Sequence, residues 1–186
     1  MLRKIMLGIA LLTAFGLSHA HAQKYFTREG DIRFISDTPL EKIEGENTNA
    51  TSVFDAETGR LEFAVLVKAF HFEKALMQEH FNENYMESST YPKATFKGRI
   101  QNFDQVNLDA DEPQKVTVTG DLTIHGVTRP VTTEAVLRKE GDNIRGRAVF
   151  TVAVADYGIE IAKIVRDKIA KEVEIHVDVL YQPFNR

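Results

Sequence analysis

The chain has 186 residues, 43% of them in the set A, V, I, L, M, F, W, Y and C and 27% charged, a balance that excludes a disordered or collagen-like chain and fits one globular domain. It contains no cysteine, so the fold has to rest on its own core without disulfide or thiolate staples. The formal charge of -4 argues against general nucleic-acid binding, which needs a basic face to release counterions.

Met1 to Lys4 brings two cations, Arg3 and Lys4, ahead of an apolar run from Ile5 to Leu17 that is too short to cross a bilayer comfortably. Ser18-His19-Ala20-His21-Ala22 then supplies the small residues of a cleavage site. Residues 1–22 therefore read as a secretory signal peptide, with Gln23 as the expected mature N-terminus and a single domain over 23–186. No cysteine follows the apolar run, so lipoprotein attachment is ruled out and a periplasmic or secreted destination is expected. No later stretch reaches membrane-spanning length.

After Gln23 the dominant period is two, which sends alternate side chains to opposite faces of a sheet. Candidate strands in chain order are Ile32 to Ser36, Ile43 to Phe54, Arg60 to Lys68, Ala94 to Asn102, Gln114 to His125, Thr128 to Lys139, Ile144 to Val154 and Lys171 to Gln182. In the fifth, Val116, Val118, Gly120, Leu122 and Ile124 share one face, with Thr117, Thr119, Asp121 and Thr123 on the other. Glu57-Thr58-Gly59, His125-Gly126 and Glu140-Gly141-Asp142-Asn143 supply turn chemistry, and connections this short make neighbours antiparallel. The expected fold is all-β: eight antiparallel strands closing into a lipocalin-like barrel, with a sandwich as the competing architecture. Two segments break the period. Glu73 to Tyr85 aligns Met77, Phe81 and Tyr85 in a helical stripe, with Leu76 beside it, and predicts a short helix plugging one barrel end. Asp156 to Ala170 also has helical spacing, although its Ile and Val suit strands equally.

Catalytic patterns are missing. Ser36, Ser52, Ser88 and Ser89 lie outside any G-x-S-x-G, and His71, His80, His125 and His176 show no metal-ligand spacing. His80 and Glu83 could touch one metal but make too few ligands for a closed site. His125 is expected to pin its tight turn by hydrogen bonding. Arg145 and Arg147 fall on the outward parity, and Lys163, Arg166, Lys168 and Lys171 cluster downstream; solvated surface is the favoured reading of these cations, an anionic head group at the barrel mouth the other. Inward parity carries Phe63, Phe96 and Phe150 together with small Ala94, Gly98, Gly120, Gly146 and Ala148. Small inward residues leave room for a ligand tunnel, yet the tapering of a filled barrel uses the same mixture.

Three stretches resemble the successive signatures of the YceI-like family of periplasmic, lipocalin-like proteins: Phe81 to Phe96 (FNENYMESSTYPKATF), Val118 to Thr128 (VTGDLTIHGVT) and Asp156-Tyr157-Gly158-Ile159. The resemblance covers essentially the mature chain. It implies an extended eight-stranded barrel with a helical insertion, holding a polyisoprenoid, an isoprenoid quinone or a similar lipid without catalysis or cofactor. The N-terminal third departs from the pattern: Asp37 stands where many members have a His, and Ile43 to Asn47 is unusually polar.

Joining parity to resemblance, the expected lipid-binding residues are Phe63, Val65, Val67, Phe96, Ile100, Val118, Leu122, Ile124, Phe150, Val152, Val177 and Val179, with Met77 and Phe81 at the helical cap. No nucleic acid, metal or membrane span belongs to this reading, and a homodimer stays compatible with it. A filled-barrel structural or interaction protein, for example in a stress response, is one rival. A metal- or tetrapyrrole-dependent enzyme using His71, His80 or His125 is the other.

Overall fold

A computed structural model describes residues 24–184; the leader expected over 1–22 lies outside the described residues. The chain forms β1 (Lys24–Asp37), β2 (Lys42–Asp55), β3 (Arg60–Leu66), a short helix α1 (Ala75–His80), β4 (Lys93–Ile100), β5 (Gln114–Ile124), β6 (Val127–Glu140), β7 (Asn143–Ala153) and β8 (Glu172–Pro183). The strands close into one antiparallel barrel in sequence order, with β1 returning to pair with β8.

Each expected strand is present, and the differences have local causes. β1 starts eight residues before the expected Ile32, because its alternation changes phase: Tyr25 and Thr27 are buried, then Gly30 and Ile32, with register shifts on both sides of Gly30. A bulge of this kind hides half a strand from a period-two reading. A Cβ at Gly30 would lie 2.9 Å from Val179 and 3.1 Å from the Ala50 carbonyl, so the bulge depends on a residue without one. β2 makes the matching adjustment between Asn47 and Ala50. Asn47 is fully buried; its Nδ2 donates to the Leu66 carbonyl (3.0 Å) and its Oδ1 accepts the Asn49 N–H (2.9 Å). The polarity of Ile43 to Asn47 is thereby explained, since a buried carboxamide satisfies backbone that the ladder leaves unpaired. β3 stops at Leu66, short of the expected Lys68: residues 67–69 form a 3₁₀ turn, and the Val67 N–H donates to the Pro92 carbonyl at 3.0 Å.

The two barrel ends differ. At the lower end lie the described termini and the connections 56–59, 101–113 and 141–142. Here Tyr25, Phe54, Leu61, Ile100, Leu137, Ile144, Val179 and Tyr181 form a closed core, with Phe103 edge-on to Phe54 at 5.8 Å. The Tyr181 hydroxyl donates to Ser52 Oγ (2.7 Å), which donates to the Glu62 carbonyl (2.9 Å). Burial pushes the Tyr181 phenol well above its ordinary range.

The upper end carries residues 38–41, 67–92, 125–126 and 154–171. The helix expected over Glu73 to Tyr85 is one short α-helical stretch, α1, followed by a π turn over Phe81–Tyr85. The segment expected to have helical character over Asp156 to Ala170 instead holds 3₁₀ turns at Val154–Tyr157 and Lys163–Val165. Gly158, at φ +70°, ends the first of them, and β-branched Ile and Val do not sustain an α-helix between them. β6 pairs with β7 only from Ala135 to Glu140. Above that point the 154–157 turn bridges the seam, with Arg129 Nε donating to the Asp156 carbonyl at 2.9 Å. Pro130 sits in this unpaired stretch, where its missing N–H costs no ladder bond.

Candidate functional site: an apolar lumen

Inward-pointing side chains change character along the barrel axis. Lower down they are buried by one another. Higher up, Phe63, Phe96, Leu122, Ile124, Phe150 and Val177 point inward yet remain only half-buried, because they line a cavity of about 380 Å³. That volume falls within the range of roughly 300–1,000 Å³ usual for small-molecule sites. All fourteen residues expected from parity and the helical stripe contribute to the wall, and Tyr181 with Ile100 and Leu137 closes its base.

Sequence reasoning missed part of the wall. Ile32, Phe34 and Ile175 line it from positions that share the inward parity of their strands, so alternation already carried the signal. Phe70 and Phe72 come from the connector after β3, where no period exists to reveal them. They form an aromatic cluster with Phe34 and Phe81: Phe34 stacks on Phe81 at 5.3 Å, and Phe72 lies 4.9 Å from Phe81. This cluster fastens the helical insertion across part of the mouth. The room expected at Gly98 and Gly120 is already filled: a Cβ at either would come within 2.4 and 2.7 Å of the Phe96 ring, and within 2.4 Å of a backbone carbonyl. These two glycines pair across β4 and β5 and let Phe96 lie flat against the wall.

Polar residues enter the lining at the mouth, where Glu41, His80 and Lys168 stand, and from the strands, as Ser36, Thr95, Thr133 and Arg147; Glu41 is paired with Lys74 at 3.4 Å. His125 occupies the β5–β6 turn at φ +50°. Its Nδ1 meets the Tyr157 carbonyl at 3.2 Å and its Nε2 meets Glu87 Oε1 at 3.3 Å, so it ties the turn to both large upper connectors, while its ring packs against Tyr91. Burial raises the pKa of Tyr85, and also of Tyr157, where the Asp156 charge adds to it. Arg145 reaches Glu140 and Asp178, and Arg147 reaches Asp178, all on the outer surface. Among the described residues, no group of three or more His, Asp or Glu side chains is placed to hold a metal. No described helix is long and apolar enough to cross a membrane.

An eight-stranded antiparallel barrel, packed at one end and hollow at the other, is the architecture of single-ligand binding barrels. Residues 19–181 match the YceI-like domain model, and the chain belongs to that family. A UPF0312 protein from Pseudomonas savastanoi pv. phaseolicola is 28% identical over 178 residues, covering 86% of this chain and 89% of the relative. The YceI protein of Escherichia coli O157:H7 is 42% identical over 60 residues, which span 32% of this chain and only 27% of that protein. In structure the chain is similar to a polyisoprenoid-binding domain from Saccharophagus degradans implicated in plant cell wall breakdown, with TM-score 0.76 and 15% identity over 87% of this chain and 99% of that one. Burkholderia cenocepacia BcnA aligns with TM-score 0.68 and 20% identity, covering 82% of this chain and 95% of BcnA.

Proposed function

We propose that this protein binds one long apolar lipid, a polyisoprenoid, an isoprenoid quinone or a similar chain, in its barrel lumen, for transport or storage and without chemistry. The observation that carries the reading is the hollow upper half, where phenylalanine, leucine, isoleucine and valine side chains face an unfilled space. Affinity would come from burial at about 25 cal/mol per Å² of apolar area, with little directional recognition. The polyisoprenoid-binding description of the Saccharophagus degradans domain supports the same ligand class. A leader over 1–22 would place the work in the periplasm or outside the cell. The cavity weighs against a filled structural barrel, and the scattered histidines weigh against an enzyme. Native mass spectrometry of protein purified from its own host, followed by solvent extraction, tests the proposal. A stoichiometric lipid with a long apolar chain is expected. A clean apo mass that stays unchanged after challenge with polyprenols and quinones would overturn it.

A further inference from the structure

The mouth of the lumen has an apolar rim outside as well as inside. Leu40 in the β1–β2 turn is 68% exposed, Leu76 on α1 60%, and Ile164 in the β7–β8 connector 91%. They come from three separate connectors at the same end of the barrel. The β7–β8 connector is two-sided: Ile161, Val165 and Ile169 line the cavity, with Lys168 at its mouth, whereas Ile164 lies exposed between Lys163 and Arg166, with Lys171 following. All four cations are exposed, and none is ion-paired among the described residues. Asp167 is the single acid from Ile161 to Lys171. Leu66, where β3 ends, is also exposed on the outer wall near this end; elsewhere Val53 and Val149 are exposed on the outer wall, and Phe184 at the lower end packs edge-on against Phe26 at 5.6 Å.

We propose that the upper end docks on the headgroup region of an anionic lipid bilayer, with Ile164 inserted first and Lys163, Arg166, Lys168 and Lys171 set against the headgroup phosphates. An aliphatic side chain flanked by cations is the chemistry of an interfacial anchor. A protein partner is less well matched: specific interfaces bury about 1,200–2,000 Å² of continuous surface, while this rim is three separated side chains around an opening. Glu73, Glu79 and Glu83 make the α1 side acidic, so the 161–171 connector leads and the barrel axis tilts on the surface. Docking stands on the rim alone, although a lumen that carries lipid gives it a use.

The chain has no cysteine, so Ile164→Cys and Phe184→Cys each create a unique attachment point for an environment-sensitive fluorophore. Both proteins are purified from the native host, with the N-terminus that host leaves on them. Each is mixed with phosphatidylcholine vesicles with and without phosphatidylglycerol. A blue shift at position 164 alone, requiring phosphatidylglycerol and fading with salt, is the expected result. Lys163→Gln combined with Arg166→Gln should weaken partitioning by roughly fivefold per charge removed. A shift at 184 with none at 164 would overturn the proposal and assign membrane contact to the segment before Lys24, whose carbonyl accepts the Phe184 N–H. Shifts at both positions, or at neither, would overturn it too. Lipid content is read by mass spectrometry on the same samples, so bound lipid without vesicle binding removes the docking surface and leaves the cargo reading intact.

Discussion

The lower and upper halves of the barrel are made from the same strands and nearly the same residue types, yet one is a core and the other a container. In the lower half, Phe54, Ile100 and Tyr181 pack into one cluster and exclude solvent almost completely. In the upper half, the rings of Phe63 and Phe96 meet edge-on at 6.3 Å along the wall, and Phe96 is held flat by Gly98 and Gly120. Apolar composition therefore does not decide whether a barrel is filled; here the lower side chains pack on one another, while Phe96 is held against the wall. Stability and ligand capacity are accordingly separated along one molecule.

The largest test of this separation compares two phenylalanines. Phe54→Ala should cost about 3–5 kcal/mol in urea unfolding, as expected for a cavity opened in a close-packed core. Phe150→Ala, where a void already exists, should cost about 1–2 kcal/mol while weakening lipid retention. Equal costs would erase the distinction between the halves. Next in size, Leu122→Glu places a carboxylate in the lumen, where water can still solvate it in the empty protein but an apolar chain cannot. The variant should fold, with its circular dichroism unchanged, and lose lipid uptake by at least roughly thirtyfold, about 2 kcal/mol. Uptake at the level of the unsubstituted protein would show that cargo does not sit beside Leu122. The smallest effect belongs to the lower half. Tyr181→Phe removes one hydrogen bond, worth about 1 kcal/mol at neutral pH, because Ser52 keeps its bond to Glu62. Since the folded-state pKa of Tyr181 is raised, its contribution is complete below the unfolded value near 10 and is lost as pH rises beyond it. Unfolding midpoints from pH 8 to 11 should show the unsubstituted protein falling more steeply above pH 10, by up to about 1.4 kcal/mol per pH unit, than Tyr181→Phe. Parallel curves would mean that the phenol is not sealed from water.

Period-two alternation was enough to reveal the strands and much of the wall, because parity alone decides which side chains face inward, while closure into a barrel and not a sandwich came from the family resemblance. It failed where parity itself changes. The bulge at Gly30 concealed the start of β1, and the polarity of β2 made sense only once Asn47 was seen to serve unpaired backbone. Connector residues obey no such rule: Phe70 and Phe72 reach the lumen through a turn whose course depends on packing with Phe34 and Phe81. Volume was the least legible quantity. Gly98 and Gly120 suggested empty space that Phe96 had already taken, whereas Gly146, Ala94 and Ala148 do line the cavity; a neighbour's rotamer, as much as the small residue, determines what remains free. Whether the residues of the wall touch a lipid is decided by binding experiments such as those above.

Seven of the eight strand seams join neighbours in sequence, and the eighth brings β1 to β8, pairing Ile32 with Val177 and Phe34 with Ile175. Four of the seven can assemble as hairpins over the short connections 38–41, 56–59, 125–126 and 141–142, and three must bring strands together across the longer connectors 67–92, 101–113 and 154–171. The eighth must close a loop that contains most of the chain, although the entropic penalty grows only with the logarithm of its length. Slow folding of a high-contact-order topology is the kinetic counterpart. The same seam makes the barrel intolerant of terminal trimming. Removing β8 does not yield a smaller barrel; it leaves an open sheet whose outer strands, β1 and β7, present unpaired N–H and C=O groups to any other chain. Edges of that kind template aggregation, so β8 is the strand that denies both edges to other chains.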